Sequence, residues 1–362
     1  MPNSKANIKA YTRQELRDTI AALGEPGYRA DQIHRWLFSD QVTDFEKMKN
    51  INASLREALS RRYVIPSCSF ENEAIEERSG GALETSKFLV GLHDDEMVET
   101  VLIPSTDRHT VCVSSQVGCP LRCTFCATGY MGFTRNLLAS EIVEQVLLVN
   151  KRLRDRSPEN HVTNIVFMGM GEPLLNLNNV FDAIETLTNQ SYNFSLSRKR
   201  ITISTVGLIP QIGAIARAGL SIKLAISLHA AAQEKRTSLI PVAQEHTLEK
   251  LRHALQEYTD VEKEPVTLVY MLLEGVNDSD QDAANLIRFT QGFLCKINLI
   301  DYNCIVNMKF KPVKEERRDR FIHTLVNAGL QVTVRKSQGA SINAACGQLA
   351  LQEKNNTAFR SQ

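Results

Sequence analysis

Neither sign of charge is in excess. The 362 residues carry 42 Lys and Arg against 41 Asp and Glu, a net charge of +1. Overall charge therefore does not announce a nucleic-acid partner, and only a local basic patch would serve one. No stretch reaches the roughly 18 uncharged apolar residues of a membrane helix. The opening MPNSKANIKAYTRQEL has no apolar segment of the secretory kind. The expectation is a cytoplasmic protein that does not touch a membrane. Thiols stay reduced there, so the eight cysteines point to metal ligation, catalysis or core packing before disulfides. Low-complexity tracts are absent, and nothing repeats beyond an alternation of strands and helices.

A chain of this length, 43% hydrophobic and 23% charged, suits two domains or one large domain with an appendage. Residues 1–66 read as a small helical domain. TRQELRDTIAALG opens on Thr12 with Glu15 three residues on and stops at Gly24, a capping box and a glycine end. RADQIHRWLFSD and SLREALSRRYV continue the pattern. Residues 67–104 read as a β extension, with KFLVGL and MVETVLIP on either side of the turn HDDE. Over residues 105–350, strand-like runs (110–115, 164–169, 200–205, 221–228, 266–272, 296–302, 331–337) alternate with helical ones. Serial βα units predict a parallel sheet with helices outside it, as an open sheet or a full or partial barrel. Residues 351–362 read as a flexible tail.

Both architectures place their chemistry beyond the C-terminal ends of the strands. The predicted exits are rich in glycine and polar residues: Gly169 to Pro173, Ser204-Thr205, Ser227 to His229, Glu274 to Asp278, and Asp301 to Asn303. Any one of these can be an ordinary polar loop. The first exit is different. GCPLRCTFCATGY, Gly118 to Tyr130, holds Cys119, Cys123 and Cys126 at C-x3-C-x2-C spacing, and no other Cys or His follows within the next thirty residues.

Three readings fit three thiols. Free Cys packs as a small hydrophobe, but Pro120, Arg122, Thr124 and Gly129 do not suit a core strand or helix. Structural zinc takes four ligands, often as paired C-x2-C knuckles, and no second pair exists. An iron–sulfur cube usually takes four thiolates. Three would leave one iron open for a small molecule, as a catalytic zinc keeps an open position.

C-x3-C-x2-C with Phe125 before the last Cys, followed by serial βα units, resembles the radical S-adenosylmethionine superfamily. The resemblance implies a [4Fe–4S] cluster on Cys119, Cys123 and Cys126. It implies S-adenosylmethionine chelated by the open iron and cleaved to a 5′-deoxyadenosyl radical. It also implies the α/β fold of a partial (βα)6 barrel, here with a small N-terminal helical domain.

YRADQIHRWLF, MVETVLIP, VCVSSQVGCPLRCTFCATG, FMGMGEPLLN, ITISTVGLIPQI, AISLHA and INAACGQL together resemble the RlmN-type ribosomal and transfer RNA adenine-C2 methyltransferases, from about Tyr11 to Leu349. C2 of adenine is electrophilic and has no lone pair or acidic proton, so polar methyl transfer lacks a nucleophile where a carbon radical can add. By motif match, Cys346 would take a methyl group from one S-adenosylmethionine. A second would generate the radical that removes hydrogen from that methyl, so two are used per turnover. The methylene radical adds to C2, a base (Glu99 by the match) removes the C2 proton, and Cys112 attacks the Cys346 sulfur to release product with formation of a disulfide. The cofactor contacts carry over as Gly171, Glu172, Ser204, Ser227, Leu228, His229 and Asn303.

Without the resemblance, Cys112 reads as core packing, Glu99 as a solvent-facing strand residue and His229 as a structural histidine. Cys68, Cys295 and Cys304 read as packing or incidental, and His109 has no assigned role.

The family implies 23S rRNA as substrate and, in some members, the tRNA adenine beside the anticodon (position 37). It also implies a reductant such as flavodoxin. The chain is expected to act as a monomer. Candidate RNA contacts are Arg13, Arg17, Arg29 and Arg35, SRKR (197–200) and KFKPVKEERRDR (309–320), although EERRDR also reads as a solvated face of mixed charge.

Two positions depart from the family pattern. Cys304 stands where Pro often follows Asn303, and Ala340 and Asn343 stand where acidic residues are common. The sister activity, Cfr-type methylation of C8, uses the same Cys pair, but GMGEP follows the RlmN pattern. A rival of another class is a non-catalytic RNA-binding or electron-carrier protein with structural cysteines.

Overall fold

The computed structural model describes residues 5–76, 84–190, 196–305, 308–335 and 338–351. The N-terminal helices begin where side chains can satisfy their free N–H groups. At α1 (Arg13–Ala22), the Thr12 hydroxyl accepts from the Glu15 N–H, and the Glu15 carboxylate accepts from the Thr12 N–H. Asn52 caps α3 (Ala53–Arg62) in the same way, and α2 (Tyr28–Phe38) lies between. Leu16, Ile20, Ile33, Leu37, Leu55 and Leu59 are buried in one core.

A ten-stranded sheet follows, in which spatial order repeats chain order. Its strands are β1 (Ser69–Ile75), β2 (Ser86–Gly91), β3 (Met97–Ser105), β4 (Arg108–Val113), β5 (Asn164–Phe167), β6 (Ile201–Thr205), β7 (Lys223–Ser227), β8 (Val266–Leu272), β9 (Cys295–Asp301) and β10 (Val332–Arg335). Pairing is antiparallel from β1 to β4 and parallel from β4 to β10. Helices α4 (Ala139–Arg156), α5 (Leu177–Thr188), α6 (Ile209–Ala218), α7 (Leu248–Glu262), α8 (Asp280–Thr290) and α9 (Glu315–Asn327) fill the successive crossovers. The expected βα series is therefore present, with β10 appended. Strand β8, VTLVYML, is buried at every position but Thr267, as expected for a strand covered on both faces. No described helix is long and apolar enough to cross a membrane.

The structure adds two features. Strand β1, SFENEAI, is mostly exposed, so it lacks the apolar alternation by which strands are read. The β extension also continues the barrel sheet edge to edge, through β3 against β4. The last described segment then leaves β10 at one edge and reaches the β1–β2 end at the other. The Gly339 N–H donates to Glu76 Oε1 at 2.9 Å, and the Thr85 hydroxyl meets Gln338 Oε1 at 3.3 Å. Residues 338–351 thus lie across the open seam of the barrel. Residues 352–362 of the expected tail lie outside the described residues.

The N-terminal segment is tied to the barrel by a buried ion pair between Lys9 and Glu144 of α4; the same carboxylate accepts from the Cys68 N–H. Removing one partner leaves a buried charge uncompensated. Lys9→Met is expected to destabilise the protein by about 3 kcal/mol, measured as a lower urea midpoint with an unchanged slope.

Candidate active site

The strand exits gather around a cavity of about 150 Å³. Cys119, Cys123 and Cys126 line it from the loop after β4, Gly171 and Glu172 from the exit of β5, Ser204 and Thr205 from β6, Ser227 and His229 from β7, and Cys346 from the C-terminal segment.

The cysteine loop is held by backbone bonds on several sides. Cys119 N–H donates to the Gly132 carbonyl (2.8 Å), Thr124 N–H to Leu239 (3.0 Å) and Ala127 N–H to Gly347 (2.7 Å). Burial raises all three thiols, Cys119 to about 12; Cys119 and Cys123 are raised further by other members of the trio, and Cys126 by Cys346. As free thiols they are therefore protonated, and binding a metal group would displace their protons. Among the described residues, only His93, Asp94 and Glu141 bring three ligand atoms within 4.8 Å of one another. Arg135 forms ion pairs with Asp94 and Glu141. The three motif sulfurs are not so close. A single tetrahedral zinc needs thiolates about 3.8 Å apart, whereas a cluster spreads its ligands over several irons. Three thiols facing one cavity, too far apart for a single ion, fit the cluster.

Gly169-Met170-Gly171-Glu172 is packed against the end of β4. Gly171 has φ +100°, and a Cβ there would lie 2.6 Å from Gln116 Cβ. This position needs glycine on both counts. Glu172 is buried. Its Oε1 accepts from Leu174 N–H (3.0 Å) and its Oε2 from Val206 N–H (2.9 Å), so it joins the exits of β5 and β6. Each oxygen keeps a lone pair for a cationic ligand. Burial pushes its carboxyl up to about 7.

His229 is buried, with φ +54°. Its Nδ1 accepts from the Met271 N–H (3.1 Å), which makes the ring a neutral Nε2–H donor, and burial lowers its pKa to about 3. Its ring meets Phe125 edge-on at 4.7 Å. The structural role read from the sequence is thus real, and the ring also lines the cavity.

Arg236 carries no motif signal and is wholly buried. Its guanidinium donates to the carbonyls of Val206, Ser227 and Leu228, and so fixes the exits of β6 and β7. The Leu228 side chain joins the main hydrophobic core and does not line the cavity. Asn303 is also absent from the lining. Asn298 and Arg335, on β9 and β10, are present instead. Their signal was only the inward alternation of late strands, which is weak in short segments.

The residues matched as catalytic converge. Cys112 lies on β4, buried in the main core, and Cys346 is exposed in the loop that crosses the seam. Burial pushes the Cys112 thiol up to about 12; nearby Cys346 adds to this and Arg335 opposes it. Cys346 also raises Cys126, so it stands between Cys112 and the cysteine loop. All eight cysteines are free thiols here.

Glu99 is not solvent-facing: it is 4% exposed. Its strand β3 pairs with β4, with Val101 opposite Cys112, so Glu99 and Cys112 share one face of the sheet. Glu99 Oε1 meets Lys87 Nζ at 2.9 Å, and Oε2 has no hydrogen-bond partner. Glu99 and Lys87 border a second cavity of about 410 Å³, beside Asn343 and Leu351 of the seam loop.

Cys68 is buried, Cys295 half-buried and Cys304 exposed. His109 bonds to the His161 carbonyl at the start of β4, the end away from the cavity.

The comparisons with known proteins agree with this geometry. The model of the Radical SAM superfamily matches residues 113–287. That of the ribosomal RNA large subunit methyltransferase N-terminal domain matches residues 6–65. A crystal structure of a radical SAM methyltransferase from Sphaerobacter thermophilus superposes with a TM-score of 0.85 at 40% identity, covering 95% of this chain and 99% of that one. The chain is a radical SAM protein. A probable dual-specificity RNA methyltransferase RlmN from Chlorobium phaeobacteroides (strain BS1) is 90% identical over 99% of both chains. One from Chlorobaculum tepidum is 55% identical over 96% of this chain and 93% of its own length. The chain belongs to the RlmN family of radical SAM RNA methyltransferases.

A carboxyl raised from 4.5 to about 7 by burial favours the fold while it is protonated. That contribution is complete below pH 4.5 and disappears as pH rises through about 7, a loss of about 3 kcal/mol. Glu172→Gln is expected to remove this part of the pH dependence of cluster-free protein, read as thermal midpoints from pH 5 to 8.

Proposed function

We propose that the chain methylates C2 of adenine in RNA by carrying the methyl carbon on Cys346. The observation that supports this most directly is the placement of Cys346 between buried Cys112 and the three-thiol loop, with Glu99 on the same sheet face as Cys112. An electron carrier or a structural cysteine protein has no use for that arrangement. Cys119, Cys123 and Cys126 would hold a [4Fe–4S] cluster binding S-adenosylmethionine, which when bound supplies both the methyl group and the one-electron chemistry, two molecules per turnover.

The chain's own residues then have distinct tasks. Glu172 accepts from the cofactor's ammonium group, and Ser204, Ser227 and the Nε2–H of His229 offer hydrogen bonds within the same cavity. Gly171 lets the backbone approach. Cys346 is the exposed thiol and carries the carbon that bonds to C2. Glu99 uses its unpaired Oε2 to accept the C2 proton. Cys112, protonated at rest by burial, then gives up its thiol proton and its sulfur attacks the Cys346 sulfur. The bond from that sulfur to the methylene carbon breaks, and the carbon keeps the electron pair and takes a proton to become the product methyl group. The Cys112–Cys346 disulfide so formed is later reduced by an external dithiol. In this reading the chain acts as a monomer.

The substrate in this reading is a 23S rRNA adenine, with adenine 37 of tRNA as a second target, and the electron donor is a flavodoxin-like reductant in the cytoplasm. Residues 1–66 act as the RNA-contacting accessory domain, 67–104 as the extension of the sheet and 105–350 as the barrel. The basic segments differ in their fitness for RNA. Arg13 and Arg17 pair with Asp31, and Arg35 with Asp40. Arg29 stacks over Tyr28 and bonds the Asn50 carbonyl. Arg317, Arg318 and Arg320 pair with Asp278, Asp280, Asp301 and Asp319. Residues 197–200 precede β6, at the end of the barrel away from the cavity. Lys309 and Lys311 are exposed beside the exit of β8, where Pro312 bridges Leu273, and neither has an acidic partner among the described residues. They are the best-placed phosphate contacts.

The trypsin peptide Ser337–Lys354 contains Cys346 as its single cysteine. From cluster-loaded protein treated with S-adenosylmethionine it is expected to be heavier by one methyl group, and an unmodified peptide refutes the reading. Cys112→Ala is expected to trap a protein–RNA adduct visible on denaturing gels. Product nucleosides compared by mass spectrometry with 2-methyladenosine and 8-methyladenosine standards should match the former. Lys309→Glu with Lys311→Glu is expected to weaken RNA binding about tenfold and to lower the salt dependence of log K by about two.

A further inference from the structure

Lys87 is a buried cation in an unusual position. Its side chain is 10% exposed and that of Glu99 is 6% exposed. On β2 it sits diagonally across from Glu99, because Leu89 is the residue opposite Glu99 and Lys87 is opposite Val101. Its Nζ meets Glu99 Oε1 at 2.9 Å and donates to the Asn343 carbonyl at 3.3 Å. Asn343 has φ +52° and lies three residues before Cys346. One ammonium group therefore touches both the strand that carries the base and the loop that carries the methyl-bearing cysteine.

The other groups packed around Glu99 supply no compensating charge. Ser114, just after β4, donates its hydroxyl to the Glu99 carbonyl, and the Met170 sulfur faces the Glu99 N–H. Cys112 shares the same face of the sheet. Asp95 and Glu96 border the cavity that Glu99 and Lys87 border, and their charges disfavour another anion. A carboxylate buried alone takes up a proton and is then no base.

We propose that Lys87 is a positioning residue for the reaction. It holds Oε1 of Glu99 so that Oε2 remains the accepting oxygen, keeps the carboxylate ionised, and ties the Cys346 loop to the same point. This rests on the reading of Glu99 as the base that accepts the C2 proton. Burial raises the Glu99 carboxyl, and Lys87 and, less strongly, the Ala350 N–H of the seam loop oppose that rise. Loss of the cation therefore raises it further, and base function is lost at a higher pH than in the natural protein.

The test follows resolution of the covalent protein–RNA adduct against pH in cluster-loaded full-length enzyme. Three variants are compared. Lys87→Gln keeps a donor for the Asn343 carbonyl and removes the charge, Lys87→Arg keeps the charge, and Glu99→Gln tests the underlying reading. Lys87→Gln is expected to move the acid limb up by at least one pH unit, slowing resolution at pH 7 about tenfold, while the Cys346 peptide still gains its methyl group. Lys87→Arg is expected to return the limb to its natural position. A Lys87→Gln limb that does not move, or a Lys87→Arg limb displaced as far as that of Lys87→Gln, overturns the proposal. If Lys87→Gln does not fold, the Lys87→Arg limb decides alone: a natural position supports the role of charge and a displaced one refutes it. Natural resolution rates in Glu99→Gln instead overturn the reading of Glu99 on which the proposal rests.

Discussion

Two hydrogen bonds join the end of the chain to the cysteine loop. Ala127 N–H donates to the Gly347 carbonyl at 2.7 Å, and the Thr128 hydroxyl to the Leu349 carbonyl at 2.6 Å. Most of the site depends on them. The parallel sheet has two edges, and the segment that leaves β10 spans the seam between them before it docks on the loop. In doing so it covers Cys112, completes one wall of the cofactor cavity and sets Cys346 beside Cys126. Without the docking, the Cys346 thiol would not be held at the cavity wall, and Glu99 would lose the seam loop that borders it.

The walls of the cavity are made rigid by side chains that satisfy strand-end backbone groups. Arg236 binds carbonyls after β6 and β7, Glu172 binds N–H groups after β5 and β6, and Asn277 bonds the His229 and Met271 carbonyls. Ser114 accepts from Met170 N–H and donates to the Glu99 carbonyl, so it ties the GMGEP turn to β3. Gln145 on α4 completes this by accepting from Thr100 and Ser114. Buried polar groups of this kind are costly unless all are paired. Two of the buried polar atoms left without a partner, Glu99 Oε2 and Arg236 Nε, belong to residues at or next to the site.

Electrostatics separates the roles of groups of the same type. Cys112, Cys119 and Cys126 are all raised by burial, yet Cys112 faces Arg335 and Cys346 while the other two belong to the cysteine trio. Glu172 and Glu99 are both buried carboxyls. Glu172 is held by backbone N–H groups and has both oxygens engaged; Glu99 is held by an ammonium group and keeps one oxygen open. That difference suits Glu172 to binding and Glu99 to proton transfer. On the surface, ion pairs with carboxylates neutralise most of the arginines of the N-terminal helices and of α9, whereas Lys309 and Lys311 near the β8 exit are exposed.

Much of this could be read from the order of residues. The capping box at Thr12 and Glu15, the βα rhythm and the C-x3-C-x2-C loop are local patterns, set by hydrogen bonding and periodicity within a few residues. The sequence by itself thus determined most of the strands and helices, though not the exposed β1, and the cluster motif and the family. It could not determine which polar residues face inward. Glu99 reads as a surface residue until Lys87, twelve positions away on the next strand, supplies its counter-charge. Arg236, Asn298 and Arg335 carry no motif and become part of the site only through strand register. Asn303 and Leu228 stand within matching motifs, yet neither side chain lines the cavity. Only the tertiary structure decided these, because burial and counter-charge depend on residues far apart in the chain, and that information is absent from any single local window.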